Sequence, residues 1–236
     1  MQRILSRAAD LLLVLLVLPA ALLLGGIIAL AILADSPGSI LYRARRVGRD
    51  GHPFRMLKFR KMRREAAGPS LTTSDDERFT PIGRFLATTK LDELPQLWNV
   101  LKGEMRLVGP RPEDPEFVEL YREDYERILS VTPGITGLAQ LRYASESQLL
   151  GDVHESPALY SEEILPHKIE LDLRYIDARS LAGDLLIMAS TALLPLTALR
   201  SKLVRRLAVD RRLVFSYLVI GASLVALVGA FTVQAG

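Results

Sequence analysis

A long uncharged stretch near the N-terminus limits the folds open to this chain more than any other feature. Residues 11–34 contain no Asp, Glu, Lys or Arg, and the same holds for residues 213–236. A helix of about 20 apolar residues crosses the hydrocarbon core of a bilayer, which is about 30 Å thick. Both stretches are long enough, so we expect a membrane protein.

The first stretch has positive charge at both ends. Arg3 and Arg7 precede it, and four arginines follow it between residues 43 and 49. Because basic residues favour the cytoplasmic side, a helix that bends in the membrane and returns satisfies both ends, whereas a simple crossing satisfies one. Pro19 removes an internal hydrogen bond and provides a place to bend. These features alone leave a re-entrant helix and an ordinary crossing equally open.

The second stretch has basic residues on one side only, which predicts a true crossing with its N-terminal end inside. The preceding basic residues are Arg205, Arg206, Arg211 and Arg212. Two interpretations of this segment stay open: an added anchor, or part of a longer fusion.

Charge and residue types exclude several classes of function. The formal net charge is +3, and the arginines adjoin the apolar stretches, so we expect anionic lipid and not nucleic acid as the partner. The chain has no cysteine, which excludes disulfides and cysteine metal sites. His52, His154 and His167 lack metal-ligand spacing, so we expect surface or structural roles. No P-loop or dinucleotide fingerprint is present, which argues against a kinase or an oxidoreductase.

Local patterns predict a small mixed domain between the apolar stretches. Residues 38–61 predict a β-hairpin that turns at residues 49–51, and the polar residues 64–76 predict a mobile loop. A capping box at Thr89–Asp92 predicts a helix that ends at Gly103, with Trp98 in the core. Further helices are predicted over residues 115–131, 166–175 and 181–199, the last of them lying in the membrane interface.

Two adjacent carboxylates, Asp92 and Glu93, are the first candidates for chemistry. Acidic residues in a first helical turn are commonly capping residues, so the pair alone indicates little. Cations and backbone amides near a carboxylate, however, favour phosphate and a divalent metal, and a carboxylate can act as a nucleophile toward phosphorus. The surrounding basic residues are Lys58, Arg60, Lys61, Lys90 and Arg111, the last of them in the stiff turn at residues 109–112.

Residues 90–112, KLDELPQLWNVLKGEMRLVGPRP, resemble the monotopic polyprenol-phosphate phosphoglycosyl transferases, the bacterial sugar transferase family. Residues 46–48, 58–62 and 133–137 resemble further motifs of that family, and the likeness covers roughly residues 1–199. We therefore expect an α+β membrane protein with a β-hairpin and interfacial amphipathic helices. Its parts are a re-entrant helix at 1–36, a small, mainly helical cytoplasmic catalytic domain at 37–200, and a basic linker with a transmembrane helix at 201–236.

The resemblance implies a two-step reaction. Asp92 attacks the sugar-bearing phosphate of a UDP-sugar and releases UMP, and polyprenol phosphate then takes the phosphosugar. Mg²⁺ is implied as cofactor, with Asp92 and Glu93 as ligands, and Glu93 as a ligand or a proton acceptor. Phosphate-binding roles fall to Lys58, Arg60, Lys90 and Arg111. The implied location is the bacterial cytoplasmic membrane, on its cytoplasmic face and in contact with its lipid, and a homodimer stays open.

Two departures from the family pattern keep a non-catalytic membrane scaffold as the alternative. Ala87 stands where the family often has Arg, and Thr132 stands where Arg or Lys is common. A polytopic transferase that joins the same substrates directly would need many crossings, and only two stretches are long enough. Residues 145–165 differ from the usual form of the family, so the resemblance does not predict the sugar. If the C-terminal segment belongs to a longer fusion, we expect the partner to be a membrane-bound sugar-modifying enzyme.

Overall fold

The computed structural model of the chain describes residues 2–63, 77–146 and 160–193. It divides into two compact units, Met1–Ile176 and Asp177–Gly236, which are treated separately. Several predictions fall outside the described residues: the loop at 64–76, His154, the end of the helix at 194–199, and the crossing at 213–236.

Helix α1 (Gln2–Asp35) is the longest element and continues through Pro19. Its apolar composition carries no helix-terminating signal, and the missing N–H of one proline is tolerated in such a helix. Within it, Ile4–Asp35 is long and apolar enough to cross a membrane, judged by length and composition. The expected long apolar helix is therefore present, and its re-entrant path in a bilayer stays a prediction.

Both halves of α1 pack on the same unit. Val14 lies in an apolar cluster with Met56, and Ile28 lies in a second cluster with Phe59. A buried ion pair adds to the first attachment, since Arg106 Nε lies 2.7 Å from Asp10 Oδ2. Large apolar side chains between the attachments are exposed, namely Leu15, Leu16, Val17, Leu22, Leu23 and Leu24.

The predicted hairpin is confirmed. Strands β1 (Leu41–Val47) and β2 (Pro53–Phe59) pair antiparallel, and a short turn at Arg49–Gly51 joins them. In this register Ala44 lies opposite Met56, and both side chains are buried. One face of the hairpin therefore packs on α1, because alternate side chains of a strand point to the same side.

Helix α2 (Pro81–Thr89) follows the hairpin and was not predicted. Thr80 is its N-cap, because its side-chain oxygen accepts from the backbone N–H of Gly83 at 2.9 Å. The predicted capping box is wrong, since Thr89 ends α2 and its hydroxyl donates to the Phe85 carbonyl at 2.8 Å. The chain reverses at Lys90, whose φ of 60° is left-handed, so the next helical turn starts without Thr89.

A 3₁₀ turn at Leu91–Glu93 leads into α3 (Gln96–Lys102). The predicted end of this helix is confirmed, because Gly103 adopts φ 84° at the C-cap. The core position predicted for Trp98 is wrong, since the residue is 58% exposed. The apolar contacts of α3 are made by the buried Val100 and the partly buried Leu97 and Leu101, and Trp98 lies outside this face.

Two short strands, β3 (Arg106–Val108) and β4 (Gly134–Thr136), pair in parallel. The segment between them contains α4 (Pro115–Leu120) and α5 (Arg122–Ile128).

The single helix predicted over residues 115–131 is therefore wrong. Tyr121 interrupts it with φ −120° and ψ 42°, outside the helical region. Leu120, the last residue of α4, is 61% exposed. The side chain of Tyr121 instead contacts a segment distant in sequence, because its hydroxyl donates to the Ser161 carbonyl at 2.7 Å.

The remaining elements are helical. Helix α6 (Leu138–Glu146) follows β4, and a π-helical turn at Tyr160–Ile164 leads into α7 (Leu165–Asp177), which confirms the helix predicted near residues 166–175. In the second unit, α8 (Leu181–Leu193) is apolar and confirms the first part of the helix predicted at 181–199. Buried residues of α5, the π turn and α7 form one core, namely Tyr125, Ile128, Tyr160, Ile164, Leu165 and Ile169.

A methyl group at Gly83 should destabilise the fold. The start of α2 packs on the backbone of Lys61, and a Cβ at Gly83 would lie 1.8 Å from the Lys61 carbonyl oxygen. Gly83→Ala is therefore expected to lower the free energy of unfolding by about 1–3 kcal/mol. In the control, Gly26→Ala, the new Cβ meets no atom within 4 Å, so the thermal midpoint should stay unchanged or rise. Equal losses in both variants would contradict this packing.

Candidate active site

The backbone around Lys90 brings two neighbouring carboxylates into one buried turn. Lys90 reverses the chain after α2, and the Glu93 N–H donates to the Lys90 carbonyl at 3.1 Å to close the 3₁₀ turn. Asp92 is 1% exposed, and the side chain of Glu93 is 15% exposed. Two adjacent carboxylates in such a place need compensating cations, because burying an unpaired charge is costly.

Glu93 is held by two cations from different elements. Its Oε1 accepts from Lys58 Nζ at 3.1 Å and from Arg111 Nη2 at 2.9 Å. Burial alone would raise the pKa of Glu93, but Arg111 and Lys58 outweigh it and hold that pKa well below its usual range. Burial lowers the pKa of Lys58 to about 8 despite the attraction of Glu93. Glu93 in turn raises the pKa of Arg111.

Among the described residues, one of the two carboxylate oxygens of Asp92 has a partner. Its Oδ2 lies 3.2 Å from Lys61 Nζ, and the ammonium of Lys61 also lies 5.6 Å from the ring centre of Phe79. The other oxygen, Oδ1, is buried and has no hydrogen-bond partner within the described part of the chain. A buried acceptor without a partner is rare in proteins and is found at sites that bind a ligand, water or ion.

The loop that carries Arg111 is fixed by backbone contacts to β4. The backbone N–H of Gly109 donates to the Thr136 carbonyl at 2.9 Å, and the backbone N–H of Gly134 donates to the Pro110 carbonyl at 2.8 Å. Only glycine fits at position 109, because a Cβ there would lie 2.8 Å from the Thr132 carbonyl oxygen. The backbone that carries the Arg111 side chain is therefore rigid, as the prolines on either side of it predict.

Helix α7 supports the same loop from behind. The Asp172 carboxylate accepts a hydrogen bond from the backbone N–H of Arg111, and the Tyr175 hydroxyl donates to the Val108 carbonyl at 3.4 Å. Sequence reasoning missed this support. The available signal was an aspartate on the apolar face of an amphipathic helix, next to Ile169, where a carboxylate needs a specific partner.

A second set of hydrogen bonds joins this loop to the π-helical turn and α7. The Tyr160 hydroxyl donates to Glu113 Oε1 at 2.9 Å, and Lys168 Nζ donates to the same hydroxyl at 3.3 Å. Lys168 Nζ also lies 4.6 Å from the centre of the Tyr160 ring. These contacts hold the residues after Arg111 in place.

The structure brings most of the predicted site residues together. Lys58, Glu93 and Arg111 form one cluster of ion pairs, and Asp92, next to Glu93 in the chain, pairs with Lys61 beside it. Lys90 lies at the edge of this cluster, where it is exposed and its charge contributes to the low pKa of Glu93.

Arg60 lies apart from this cluster, and Lys61 joins it instead. The guanidinium of Arg60 donates to the carbonyls of Ser36 at 2.6 Å and Pro37 at 2.8 Å, beyond the end of α1. Strand alternation would place Arg60 beside Lys58. Regular pairing ends at Phe59, however, and the chain then turns so that the Lys61 carbonyl accepts from the Thr80 N–H.

Residues 1–198 match the family model described as bacterial sugar transferase. The chain belongs to this family. A UDP-glucose:undecaprenyl-phosphate glucose-1-phosphate transferase of Escherichia coli (strain K12) is 38% identical over 80% of this chain and 39% of its own length. A protein of the same name from Caulobacter vibrioides is 39% identical over 69% of this chain and 59% of its own length.

A shorter member of the family is also similar. The putative undecaprenyl-phosphate N-acetylgalactosaminyl 1-phosphate transferase of Bacillus subtilis (strain 168) is 37% identical over 61% of this chain and 80% of its own length. The first two sugar transferases are longer proteins, and this chain aligns with 39% and 59% of their lengths. The matched residues of this chain include the whole carboxylate cluster.

The cluster offers few ligands for a metal ion. Among the described residues, no group of three or more His, Asp or Glu side chains could hold one. Asp92 Oδ1 has no partner in that part of the chain, whereas Glu93 Oε1 already accepts from two cations. One or two carboxylates suffice for Mg²⁺ when phosphate oxygens and water complete its coordination, so the residues fit a metal bound together with a phosphate.

Glu93 should contribute far more to stability than Asp92. Glu93→Gln leaves Lys58 and Arg111 side by side without a counter-charge, and we expect a loss of about 3–5 kcal/mol in the free energy of unfolding. Asp92→Asn removes one contact from Lys61, whose side chain is 23% exposed and can be solvated, so a change within about 1 kcal/mol is expected. Denaturation of both variants in detergent measures the difference. A larger loss for Asp92→Asn would contradict the assignment.

The stability of the fold should fall as the pH rises because of Asp172. Burial, with the neighbouring Glu113, raises the pKa of Asp172 to about 8 against the opposing effects of Lys168 and Arg111, and its ordinary value is 3.8. Between these values the folded chain keeps a proton that the unfolded chain loses. Asp172→Asn keeps an acceptor for the Arg111 N–H and cannot ionise. The difference in thermal midpoint between Asp172→Asn and the wild type should therefore shift in favour of the variant as the pH rises from about 5 to about 8.

The exposed Thr88 provides the control for this pH dependence. Thr88→Ala changes no ionisable group, so its difference in thermal midpoint from the wild type should stay constant over the same pH range. An equally constant difference for Asp172→Asn would show that the carboxyl of Asp172 does not titrate in this range.

Proposed function

We propose that the chain transfers a sugar 1-phosphate from a UDP-sugar to polyprenol phosphate and releases UMP, through a covalent phosphosugar on Asp92. This is the initiating step of glycoconjugate or exopolysaccharide assembly. The family and the printed names of the relatives support the reaction class. The observation that carries the covalent scheme is the buried, unpartnered Oδ1 of Asp92.

In the first step, Asp92 Oδ1 attacks the phosphorus that bears the sugar. A bond forms between this oxygen and phosphorus, the bond from phosphorus to the oxygen of UMP breaks, and UMP leaves with the electron pair. Lys61 holds Oδ2 at 3.2 Å and so fixes the carboxylate with Oδ1 free. Such fixation avoids the cost of orienting the nucleophile during the reaction.

Lys58 and Arg111 bind the diphosphate in this scheme. Glu93 accepts one N–H from each of them, and the ammonium and the guanidinium have further N–H groups to offer phosphate oxygens. Glu93 therefore acts as a support that keeps both cations charged and in place. Lys90, at the exposed edge of the cluster, adds positive charge for an anionic substrate. Arg60 stays a prediction as a phosphate contact, because its guanidinium is bonded to the end of α1.

In the second step, an oxygen of polyprenol phosphate attacks the phosphosugar. The new bond to phosphorus displaces Asp92, which regains its carboxylate, and the product is a polyprenol diphosphate sugar. The lipid phosphate lies at the bilayer surface, so the site must lie there too. We place the chain in the cytoplasmic membrane of a bacterium, with α1 re-entrant and the carboxylate cluster on the cytoplasmic face.

Mg²⁺ would be held by Asp92, Glu93 and phosphate oxygens. When bound, it offsets the negative charge that accumulates as a carboxylate approaches a diphosphate. The residues of the chain still provide the nucleophile and the fixed cations.

Asp92→Asn should abolish turnover while the protein stays folded. The assay follows UMP release from a panel of UDP-sugars by purified protein with Mg²⁺ and polyprenol phosphate. We expect a loss of at least about 10³-fold, because an amide oxygen is a poor nucleophile, and mass spectrometry should find a phosphosugar on Asp92 only in the wild type. Asp50→Asn, in the exposed hairpin turn, is the matched control and should keep full activity.

Two results would contradict this proposal. Turnover by Asp92→Asn at the wild-type rate would rule out the covalent scheme. A folded wild type in membrane that releases UMP from no UDP-sugar would instead favour the non-catalytic scaffold that Ala87 and Thr132 keep open.

A further inference from the structure

Gln96, the first residue of α3, is buried without hydrogen-bond partners. Its exposed fraction is 0%, and neither Oε1 nor Nε2 has a partner among the residues that the structure describes. A side-chain amide can donate two hydrogen bonds and accept two, and leaving these unmade in the interior is destabilising. Such a residue persists in a fold when a ligand satisfies it or when it has another function.

Gln96 shares a helix face with the carboxylate pair. Gln96 follows Asp92 by four residues and Glu93 by three, and Leu94 and Pro95 between them have helical backbone angles. Residues three and four apart share a helix face. Helical side chains also lean toward the N-terminus, so that of Gln96 covers the preceding turn, which carries the pair.

Asp92 and Gln96 therefore present unsatisfied polar atoms on one face. Asp92 Oδ1 is likewise buried and without a partner in the described residues, and no hydrogen bond joins it to the amide. An oxygen of a ligand at this face could accept from Gln96 Nε2 while Asp92 Oδ1 faces the atom that bears it. A phosphoryl group has this arrangement of an electrophilic phosphorus and acceptor oxygens.

We infer that Gln96 is a further catalytic residue of the proposed transferase and that its amide donates to a phosphoryl oxygen of the group attacked by Asp92. The inference rests on the proposed function. The contact strengthens as negative charge grows on the phosphoryl oxygens, so it lowers the barrier of the reaction more than it tightens substrate binding. Being uncharged, Gln96 adds this donor without a further cation beside Lys58, Lys61 and Arg111.

Asn99 shows what a structural amide looks like on the same helix. It is 1% exposed, and both of its polar atoms are bonded. Its Oδ1 accepts from the Leu57 N–H at 3.0 Å, and its Nδ2 donates to the Arg55 carbonyl at 2.9 Å and to Glu104 at 2.7 Å. The two amides therefore match in burial and location. They differ in whether the described part of the protein provides them with hydrogen-bond partners.

Gln96→Met and Asn99→Leu should have opposite effects. Gln96→Met keeps an unbranched side chain and removes only unsatisfied polar atoms, so its thermal midpoint should equal or exceed that of the wild type. Its kcat for UMP release should fall about 10- to 100-fold with little change in KM, and less phosphosugar should be trapped on Asp92. Asn99→Leu should lower the midpoint, because it leaves the Leu57 N–H buried and unpaired.

Gln96→Glu adds a third variant in the same full-length protein. It keeps the shape but replaces a donor with a negative charge, so we expect a larger loss of kcat than for Gln96→Met. Wild-type kcat in Gln96→Met, or a midpoint lowered as far as in Asn99→Leu, would overturn the inference and leave the proposed function intact. Failure of the wild type to release UMP would overturn the proposed function itself.

Discussion

The carboxylate of Glu93, shared between Lys58 and Arg111, is the interaction on which the site depends. It joins three separate parts of the chain, namely strand β2, the 3₁₀ turn and the loop after β3. A buried carboxylate with two cations is stable only while all three charges are present. The fold therefore places this electrostatic constraint next to the position where an anionic substrate would add further charge.

The two neighbouring carboxylates have different environments, and this difference separates their roles. Glu93 accepts hydrogen bonds from two cations and behaves as a structural counter-charge, whereas Asp92 keeps one buried oxygen without a partner among the described residues. Adjacent residues on a helical turn project in different directions, so one turn can support both arrangements. A fixed, partly unsatisfied carboxylate is less stable than a fully paired one, and the surrounding ion pairs offset that loss.

Local sequence signals predicted the parts of the fold that depend on local chemistry. The hairpin and the glycine stop at Gly103 are set by turn residues, and both are confirmed. The break at Tyr121 and the replacement of Arg60 by Lys61 depend on contacts between distant segments, and sequence periodicity carries no information about these contacts. At the site, charge and spacing indicated which residues gather around Asp92, whereas the support from Asp172 becomes visible only once α7 packs against the Arg111 loop.

Helix α1 is part of the site's architecture, since both of its halves are anchored to the unit that carries Asp92. The Asp10–Arg106 ion pair fixes the first half next to β3, which leads directly into the Arg111 loop, and Ile28 fixes the second half next to the end of β2. A helix held at two places cannot change its depth without moving those strands. If α1 sets the position of the chain in the bilayer, it also sets the height of Asp92 above the lipid phosphates, and the proposed reaction between a soluble nucleotide and a membrane lipid requires that height to be constant.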